Sequence, residues 1–360
     1  AFLTPDGRYF YGGTYFPPTP RHGMPSFRQV LNSVLDAYNN RREQIEEGSN
    51  QVLRILESTH ALGGKPSTGA SPHGDSPRDS PVDMAELAQK AAEAAFQGLA
   101  SQHDPVHGGF GAAPKFPQPA TLEFLLRYFF RTGNREALEM VLTTLREMTR
   151  GGIRDHLGGG FHRYSVDARW LVPHFEKMLY DNGLLASLYL QAYLTTGNPE
   201  LKDTVTTTLD YLLEDLRDAR GGFYSARDAD SEGEEGTFYL WSPQEVEEAL
   251  GAEAAALFSR AYGVTPEGNF EGKNILNLQG GLDPLAKSEG VSLDELAASL
   301  ETARIAMKEA RSAREQPFRD EKVLTSWNSF VLRALAEAGG ALGRVDYVES
   351  AREKAEFILQ

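Results

Sequence analysis

The 360-residue sequence contains no cysteine, which excludes disulfide bonds, thiolate-ligated zinc and thiol chemistry from these residues. It also lacks any uninterrupted apolar run near the ~20 residues that a membrane-spanning helix needs. Basic residues number 36 against 51 acidic ones, which leaves a formal charge of −15. Because binding to the phosphate backbone needs clustered Lys and Arg, we expect no nucleic-acid partner. We likewise expect no membrane partner, and a reducing, cytoplasmic setting is compatible with the lack of cysteine.

Motifs of several common catalytic and cofactor sites are absent as well. The sequence has no Walker loop, no HExxH pair and no nucleophile elbow. The stretch 227–235 resembles the first half of a calcium loop, but Tyr239 stands where a bidentate glutamate is required. We therefore predict neither a metal nor a cofactor. No pattern in the sequence assigns an oligomeric state.

Composition divides the chain into three parts. Residues 1–62 are predicted to form a β-hairpin followed by a helical stretch that begins at Ser26. Residues 63–82 are mostly Gly, Pro, Ser and Thr and cannot bury enough apolar surface to order themselves, so they are predicted to be a flexible linker. Residues 83–360 have the periodicity of helices and form the main domain.

Helix pairs joined by short turns recur in this main domain. The sequence TGN occurs at 132–134 and again at 196–198, where the asparagine is a predicted N-cap of the next helix. Gly-Gly-Phe loops occur at 108–110, 159–161 and 221–223. Since one helix hairpin cannot cover its own apolar face, the repeat predicts a toroid or solenoid. Its short turns should lie at one end, and its long loops, where a site would be built, at the other.

The segment 158–182 combines glycines, aromatic rings and titratable side chains, as a pocket for a polar ligand would. It holds two histidines, and histidine is the usual proton carrier near neutral pH. A helix predicted to start near Pro173 would place His174, Lys177 and Asp181 on one face. The ordinary alternative is that Lys177 and Asp181 form a surface ion pair and that the histidines pack or bond to backbone.

Two sets of candidate residues follow from this segment and from the loop after 223. The candidates for acid–base chemistry are His162, His174, Glu176 and Asp181. The candidates for substrate contact are Tyr164, Trp170, Lys177, Tyr180, Arg227, Asp228 and Asp230. A glycosidase would need two of the carboxyl groups ~5–10 Å apart. A solvated loop explains Asp228 and Asp230 equally well.

Several long motifs carry a family resemblance: FLTPDGRYFYGGTYFPP, GGFGAAPKFPQP, DHLGGGFHRYSVDARWLVPHFEKMLYDN, GGFYSARDADSEGEEGTFYLW and DEKVLTSWNSF. The chain resembles the spermatogenesis-associated, thioredoxin-domain-containing proteins. This resemblance implies a mainly α fold, an (α/α)6 toroid of six-hairpin type that is incomplete here, with an N-terminal α/β remnant of a thioredoxin-like domain. The chain would begin after the cysteine-containing segment of that domain and stop before a ring of six helix pairs closes.

The resemblance also implies a small-molecule ligand. Barrels similar to N-acylglucosamine 2-epimerase act on sugars, so we expect a sugar or polyol ligand and an epimerase- or isomerase-like enzyme, with a glycoside hydrolase less expected. Two alternatives stay open. In the first, the barrel is a noncatalytic carbohydrate-binding or scaffold domain. In the second, it is the recognition domain of a thioredoxin-like redox or chaperone protein.

Overall fold

The computed structural model describes residues 1–13, 16–20, 24–60 and 84–359. The chain divides into two units, Ala1–Ala91 and Ala92–Gln360. The predicted linker at 63–82 lies outside the described residues. Among the helices described, each is too short or too polar to cross a bilayer.

The N-terminal unit contains a small antiparallel hairpin and two long helices. Its elements are β1 (Phe2–Leu3), β2 (Tyr9–Tyr11), α1 (Phe27–Asn40) and α2 (Arg42–His60). The predicted N-cap Ser26 begins α1, where its side chain accepts from the Gln29 N–H and the Gln29 side chain accepts from the Ser26 N–H. The ring of Phe10 in β2 packs against Tyr38 of α1.

The C-terminal unit is mainly helical, with short strands in its loops. Its elements, the first of which spans the unit boundary, are α3 (Met84–Ala100), α4 (Pro119–Thr132), α5 (Arg135–Arg150), β3 (Tyr164–Ser165), β4 (Pro173–His174), β5 (Lys177–Met178), α6 (Leu179–Thr196), α7 (Pro199–Asp215), β6 (Ala226–Arg227), β7 (Asp230–Ser231), β8 (Glu234–Glu235), α8 (Pro243–Leu250), α9 (Ala252–Tyr262), α10 (Leu282–Glu289), α11 (Leu293–Ser312), β9 (Arg319–Asp320), α12 (Thr325–Leu342) and α13 (Val345–Leu359).

Three helix hairpins, α4/α5, α6/α7 and α12/α13, build the main apolar core. The first helices of these hairpins pack side by side, with α6 between α4 and α12. Helix α6 is buried around most of its circumference, as expected of a helix that is apolar on all sides. This arrangement confirms the mainly α class and the predicted (α/α) hairpin repeat. Helices α8 to α11, which lie between α7 and α12 in the sequence, form a second apolar core.

Short turns and long loops lie at opposite ends of the hairpins, as the repeat predicts. Helices α4, α6 and α12 all end at glycines in the left-handed conformation. The predicted caps Asn134 and Asn198 accept hydrogen bonds from the first turns of α5 and α7. At the other end of α6, Asn182 in the first turn bonds to both backbone groups of Phe161. Asn182 and Gly197 are 15 residues apart, so at 1.5 Å per residue this loop is about 22 Å from the turn at Gly197.

The prediction of a helix from Pro173 is wrong. Strand β4 pairs with β3, strand β5 pairs with β6, and α6 begins only at Leu179. Between the two strands, the Glu176 carbonyl accepts from the Arg163 N–H at 2.8 Å. Pairing with these distant backbone segments therefore overrides the local helical pattern. As a consequence, His174, Lys177 and Asp181 do not share a helix face.

Candidate functional site

An aspartate begins each Gly-Gly-Phe loop: Asp104, Asp155 and Asp218. In each loop the aspartate N–H donates to the carbonyl of the glycine before the Phe, at 3.0, 3.0 and 2.8 Å. Its carboxylate accepts from backbone N–H groups of the next turn. Glycine is required because the loops are tight: a Cβ at Gly160 would lie 2.5 Å from Cδ1 of Tyr211. The sequence repeat is thus a structural repeat of the loops that follow α3, α5 and α7.

A buried lysine reaches the aspartate in the first two loops. Lys115 Nζ donates to Asp104 Oδ2 at 2.6 Å and to the Gly108 carbonyl at 2.8 Å. Lys177 Nζ donates to Asp155 Oδ2 at 2.7 Å and to the Gly159 carbonyl at 2.9 Å. The two lysines therefore have the same role at equivalent positions of the repeat.

In the second loop a further cation joins the pair. Arg311 of α11 donates from Nη1 to Asp155 Oδ1 at 2.8 Å and from Nη2 to Oδ2 at 3.0 Å. Burial opposes ionisation of Asp155, but Arg311 and Lys177 hold the pKa of its carboxyl well below its usual range. Burial lowers the pKa of Lys177. The cluster is a buried triad of one carboxylate and two cations.

Sequence reasoning missed two members of this triad. Asp155 carried a usable signal, because an aspartate precedes each Gly-Gly-Phe loop. Arg311 carried none, since it lies 156 residues further along the chain, on a helix of the second apolar core.

A cavity of about 230 Å³ opens beside the triad, and we call it the Asp155 pocket. Besides the triad, the residues that line it include Tyr211, Glu214, Asp215, Arg227, Phe238, Tyr239 and Lys308. The predicted ligand contact Arg227 pairs with both oxygens of Asp215 at 2.9 and 2.6 Å. The hydroxyl of Tyr211 is buried and has no hydrogen-bond partner among the described residues. The pocket thus combines charged groups with aromatic walls.

A second group of side chains surrounds the N-terminal end of α6. We call it the α6 cluster, and its members are Arg163, Tyr164, His174, Glu176, Tyr180 and Asp181. His174 Nδ1 lies 2.7 Å from Glu235 Oε1, and His174 Nε2 lies 3.7 Å from Glu176 Oε2. The carboxylates of Glu176 and Glu235 raise the pKa of His174 to about 9, so the ring is an imidazolium at neutral pH. The ring of Tyr164 stacks on it at 5.0 Å.

The two carboxyl groups of the α6 cluster have opposite environments. Asp181, in the first turn of α6, is 7% exposed, and its Oδ2 has no hydrogen-bond partner among the described residues. Burial raises the pKa of Asp181 to about 7. Glu176 is bound by His174 and by Arg163, whose Nη1 is 2.8 Å away, and these contacts lower its pKa. One group can therefore carry a proton near neutral pH beside another that stays ionised.

The structure places other predicted residues away from this cluster. His162 is buried, its Nδ1 lies 2.8 Å from the Phe175 carbonyl, and its ring packs edge-on against Tyr239. Burial lowers the pKa of His162 to about 3, so this imidazole is neutral. Trp170 is fully buried, and its indole donates to the His107 carbonyl at 2.8 Å, so it belongs to the core.

The remaining predicted contacts are distributed over three places. Tyr180 packs edge-on against Trp327 at 4.8 Å within the α6 cluster, while Lys177 and Arg227 belong to the Asp155 pocket. Asp228 and Asp230 are exposed. Asp230 lies in the β7–β8 hairpin, whose Glu235 contacts His174. Within the described ranges, no three acidic or histidine side chains converge as ligands of a metal ion.

Solved structures with a similar fold include two bacterial sugar enzymes. Cellobiose 2-epimerase from Spirochaeta thermophila matches with a TM-score of 0.35 and 16% identity, over 78% of this chain and 87% of that one. The family 76 glycoside hydrolase Bt3792 from Bacteroides thetaiotaomicron, a mannosidase, matches with a TM-score of 0.38 and 14% identity, over 74% and 68%. Similarity at this level transfers no residue role to this chain.

Sequence matches are much stronger. Residues 1–57 match the family Thioredox_DsbH, described as a protein of unknown function, DUF255. Spermatogenesis-associated protein 20 of Rattus norvegicus and that of Homo sapiens are each 35% identical over 388 residues, which cover 99% of this chain and 47% of theirs. The chain thus spans about half the length of the curated relatives it matches. At 35% identity over 99% of its length, the chain is similar to the spermatogenesis-associated, thioredoxin-domain-containing proteins.

Proposed function

We propose that the helical unit binds a sugar or polyol at the α6 cluster and moves a proton on it, as an epimerase- or isomerase-like enzyme does. The observation that carries the proposal is the buried carboxyl of Asp181, with one oxygen unpaired, beside the ionised Glu176. Titratable neighbours whose pKa values are pushed apart are typical of acid–base sites. A general acid or base works best when its pKa lies near the operating pH.

The roles follow from the charge of each group. Asp181 would remove the proton beside a substrate carbonyl, the C–H electron pair would form a C=C bond, and the π pair of the carbonyl would move to its oxygen to give an enolate. As the carbonyl re-forms, the C=C pair would take up a proton: delivery to the opposite face inverts the carbon, and delivery to the original face restores the substrate with a proton exchanged with solvent. The His174 imidazolium and the Arg163 guanidinium would stabilise the negative charge on that oxygen. Glu176 would hold both cations in position, and so acts as a positioning residue.

Aromatic side chains supply the other half of a sugar site. Tyr164 stacks on Phe116 at 4.8 Å, and Phe116 is 46% exposed. Tyr180 and Trp327 form a second aromatic pair beside Asp181. Flat rings next to charged groups suit a ligand with a C–H face and several hydroxyls.

Proton exchange tests the proposal on many candidate sugars at once. A library of free sugars is incubated with the protein in D₂O, and deuterium incorporation at carbon is followed by NMR. We expect exchange with at least one sugar, and Asp181→Asn should lower its rate by ~10²–10⁴-fold while binding persists. The matched control is Asp294→Asn, an exposed aspartate of α11 with the same change of charge, which should exchange normally.

The outcomes separate the alternatives. A sugar that binds at the α6 cluster without any exchange would make the unit a noncatalytic binding domain. No binding by any sugar or polyol would refute the proposal as a whole.

The match of residues 1–57 favours a second candidate, a thioredoxin-like redox protein whose barrel recognises the substrate. Because the 360 residues contain no cysteine, thiol chemistry would need residues outside them. Insulin reduction by the full-length family protein tests this candidate. Inactivity in that assay, with the sugar exchange intact, would remove it.

A further inference from the structure

The buried triad of the Asp155 pocket holds two basic side chains and a single carboxylate. Asp155 already accepts from Lys177, from both Nη atoms of Arg311 and from the N–H groups of Leu157 and Gly158. The side chains of Asp155, Lys177 and Arg311 are only 3, 2 and 7% exposed. One carboxylate therefore faces two cations in a place where unpaired charge is costly.

The other cations of the pocket do have counterions. Arg227 pairs with Asp215, and Lys308 Nζ lies 2.6 Å from Glu214 Oε2. Among the lining residues, four basic side chains accompany three carboxylates, so the basic side chain without a carboxylate of its own belongs to the triad.

Comparison with the first Gly-Gly-Phe loop indicates that loop architecture does not need this excess. In the first loop, Lys115 and Asp104 form a one-to-one pair. The hydrogen-bond distances from Lys115 Nζ to the aspartate and to the glycine carbonyl are nearly those from Lys177 Nζ in the second loop. The second cation therefore calls for a role other than loop stability.

The remaining features of the pocket indicate which kind of ligand would fit it. The buried Tyr211 hydroxyl is unpartnered among the described residues, and Lys177 Nζ lies 4.2 Å from the centre of the same ring. The volume of about 230 Å³ is just below the range of ~300–1,000 Å³ usual for ligand sites, so the ligand is small. Hydrogen bonds from cations to carboxylate or phosphate oxygens are the strong ones.

We infer that the Asp155 pocket is a binding site for a small anion that carries a carboxylate or phosphate group, with Arg311 and Lys177 balancing its charge and Tyr211 bonding to it. This site shares no side chain with the α6 cluster. The neighbouring residues Glu176 and Lys177 divide between the two sites, since Glu176 binds Arg163 and Lys177 binds Asp155.

Calorimetric titration at constant ionic strength tests the inference with four probes: glucose 6-phosphate, glucuronate, inorganic phosphate and neutral glucose. We expect at least one charged probe to bind at least tenfold more tightly than glucose. Preference for glucose 6-phosphate and phosphate would identify a phosphate site, and preference for glucuronate a carboxylate site. Equal affinity for glucose and the charged probes would overturn the inference, as would binding of none of the charged probes.

Two variants locate the binding. Arg311→Gln leaves a one-to-one Asp155–Lys177 pair, like the Asp104–Lys115 pair of the first loop, so the variant should fold and bind the charged probe at least tenfold more weakly. Tyr211→Phe removes only the unpartnered hydroxyl and should weaken binding roughly tenfold. The matched control is Arg260→Gln, because Arg260 pairs with Glu289 outside the pocket and is about half exposed. Undiminished binding in Tyr211→Phe and in a folded Arg311→Gln would overturn the assignment.

Asp181→Asn keeps this inference separate from the proposed function. That variant should lose proton exchange on the sugar and retain the affinity for the charged probe. Loss of both in Asp181→Asn would mean that the charged probe occupies the α6 cluster, and the Asp155 pocket would then not be its site.

Discussion

Asp155 and Asp181 are both buried, with 6 and 7% of each residue's surface exposed, yet their carboxyl pKa values are shifted in opposite directions. Asp155 is surrounded by two cations and two backbone N–H groups, and its pKa lies well below the usual range. Asp181 has one unpaired oxygen, and burial raises its pKa to about 7. Burial penalises a carboxylate in both places, so the partners decide the outcome. A carboxylate whose oxygens all have hydrogen-bond partners stabilises the fold. A carboxyl group with an unpaired oxygen is available for proton transfer.

The largest effect should come from Asp155→Asn. The substitution leaves Lys177 and Arg311 buried without a counterion, and loss of one partner from a buried ion pair costs about 3–5 kcal/mol. Urea unfolding at pH 7 measures the free energy of unfolding. The matched variant is Asp104→Asn in the first loop, where the carboxylate is 23% exposed and has one cation, so the loss should be smaller. Equal losses would show that the extra cation does not matter energetically.

Asp181→Asn should have the opposite sign. A carboxyl whose pKa is raised in the folded state contributes stability below its unfolded pKa of about 4, and this contribution is lost as the pH rises towards about 7. The neutral amide does not titrate. The variant should therefore equal the wild type near pH 3 and exceed it by about 4 kcal/mol at pH 8, since each unit of pKa difference is worth about 1.4 kcal/mol. Unfolding titrations at the two pH values check this, and a pH-independent difference would contradict the shifted pKa.

Substitution of the two lysines that bind the loop aspartates, Lys115 and Lys177, should lower the free energy of unfolding by different amounts. Lys177→Met leaves Asp155 balanced by Arg311, whereas Lys115→Met leaves Asp104 without its cation. We expect losses of about 1 kcal/mol and about 2–3 kcal/mol, respectively. Both variants lose a hydrogen bond from the lysine to a glycine carbonyl, so this loss cancels when the two variants are compared. A larger loss for Lys177→Met in urea unfolding would argue against an excess positive charge in the triad.

The sequence predicts the repeat better than it predicts the sites. Local signals identify the hairpins and their caps, such as Asn134 and Asn198, because capping depends on residues close in sequence. The extended segment at 173–178 escapes prediction because its partners lie at 164–165 and 226–227. For the same reason, the residues around Arg311 in the sequence do not indicate that it lies beside Asp155. Aromatic residues such as Trp170 mark core and pocket alike, so composition alone does not separate them.

The smallest effect concerns His174, whose exposed fraction of 27% weakens its ion pairs. Its pKa rises to about 9 from an unfolded value near 6.5, because Glu176 and Glu235 bind the charged ring. A raised histidine pKa stabilises the fold fully below pH 6.5, and the contribution disappears as the pH rises through 9. The wild type should therefore exceed His174→Gln by about 1 kcal/mol at pH 6 and by nothing at pH 10. Urea unfolding at both pH values measures the difference.

Glu235→Gln is the matched variant: it keeps the histidine, and NMR titration should show the pKa of His174 nearer the ordinary value. A difference between wild type and His174→Gln that persists unchanged at pH 10 would mean that His174 acts through packing on Tyr164 and not through its charge.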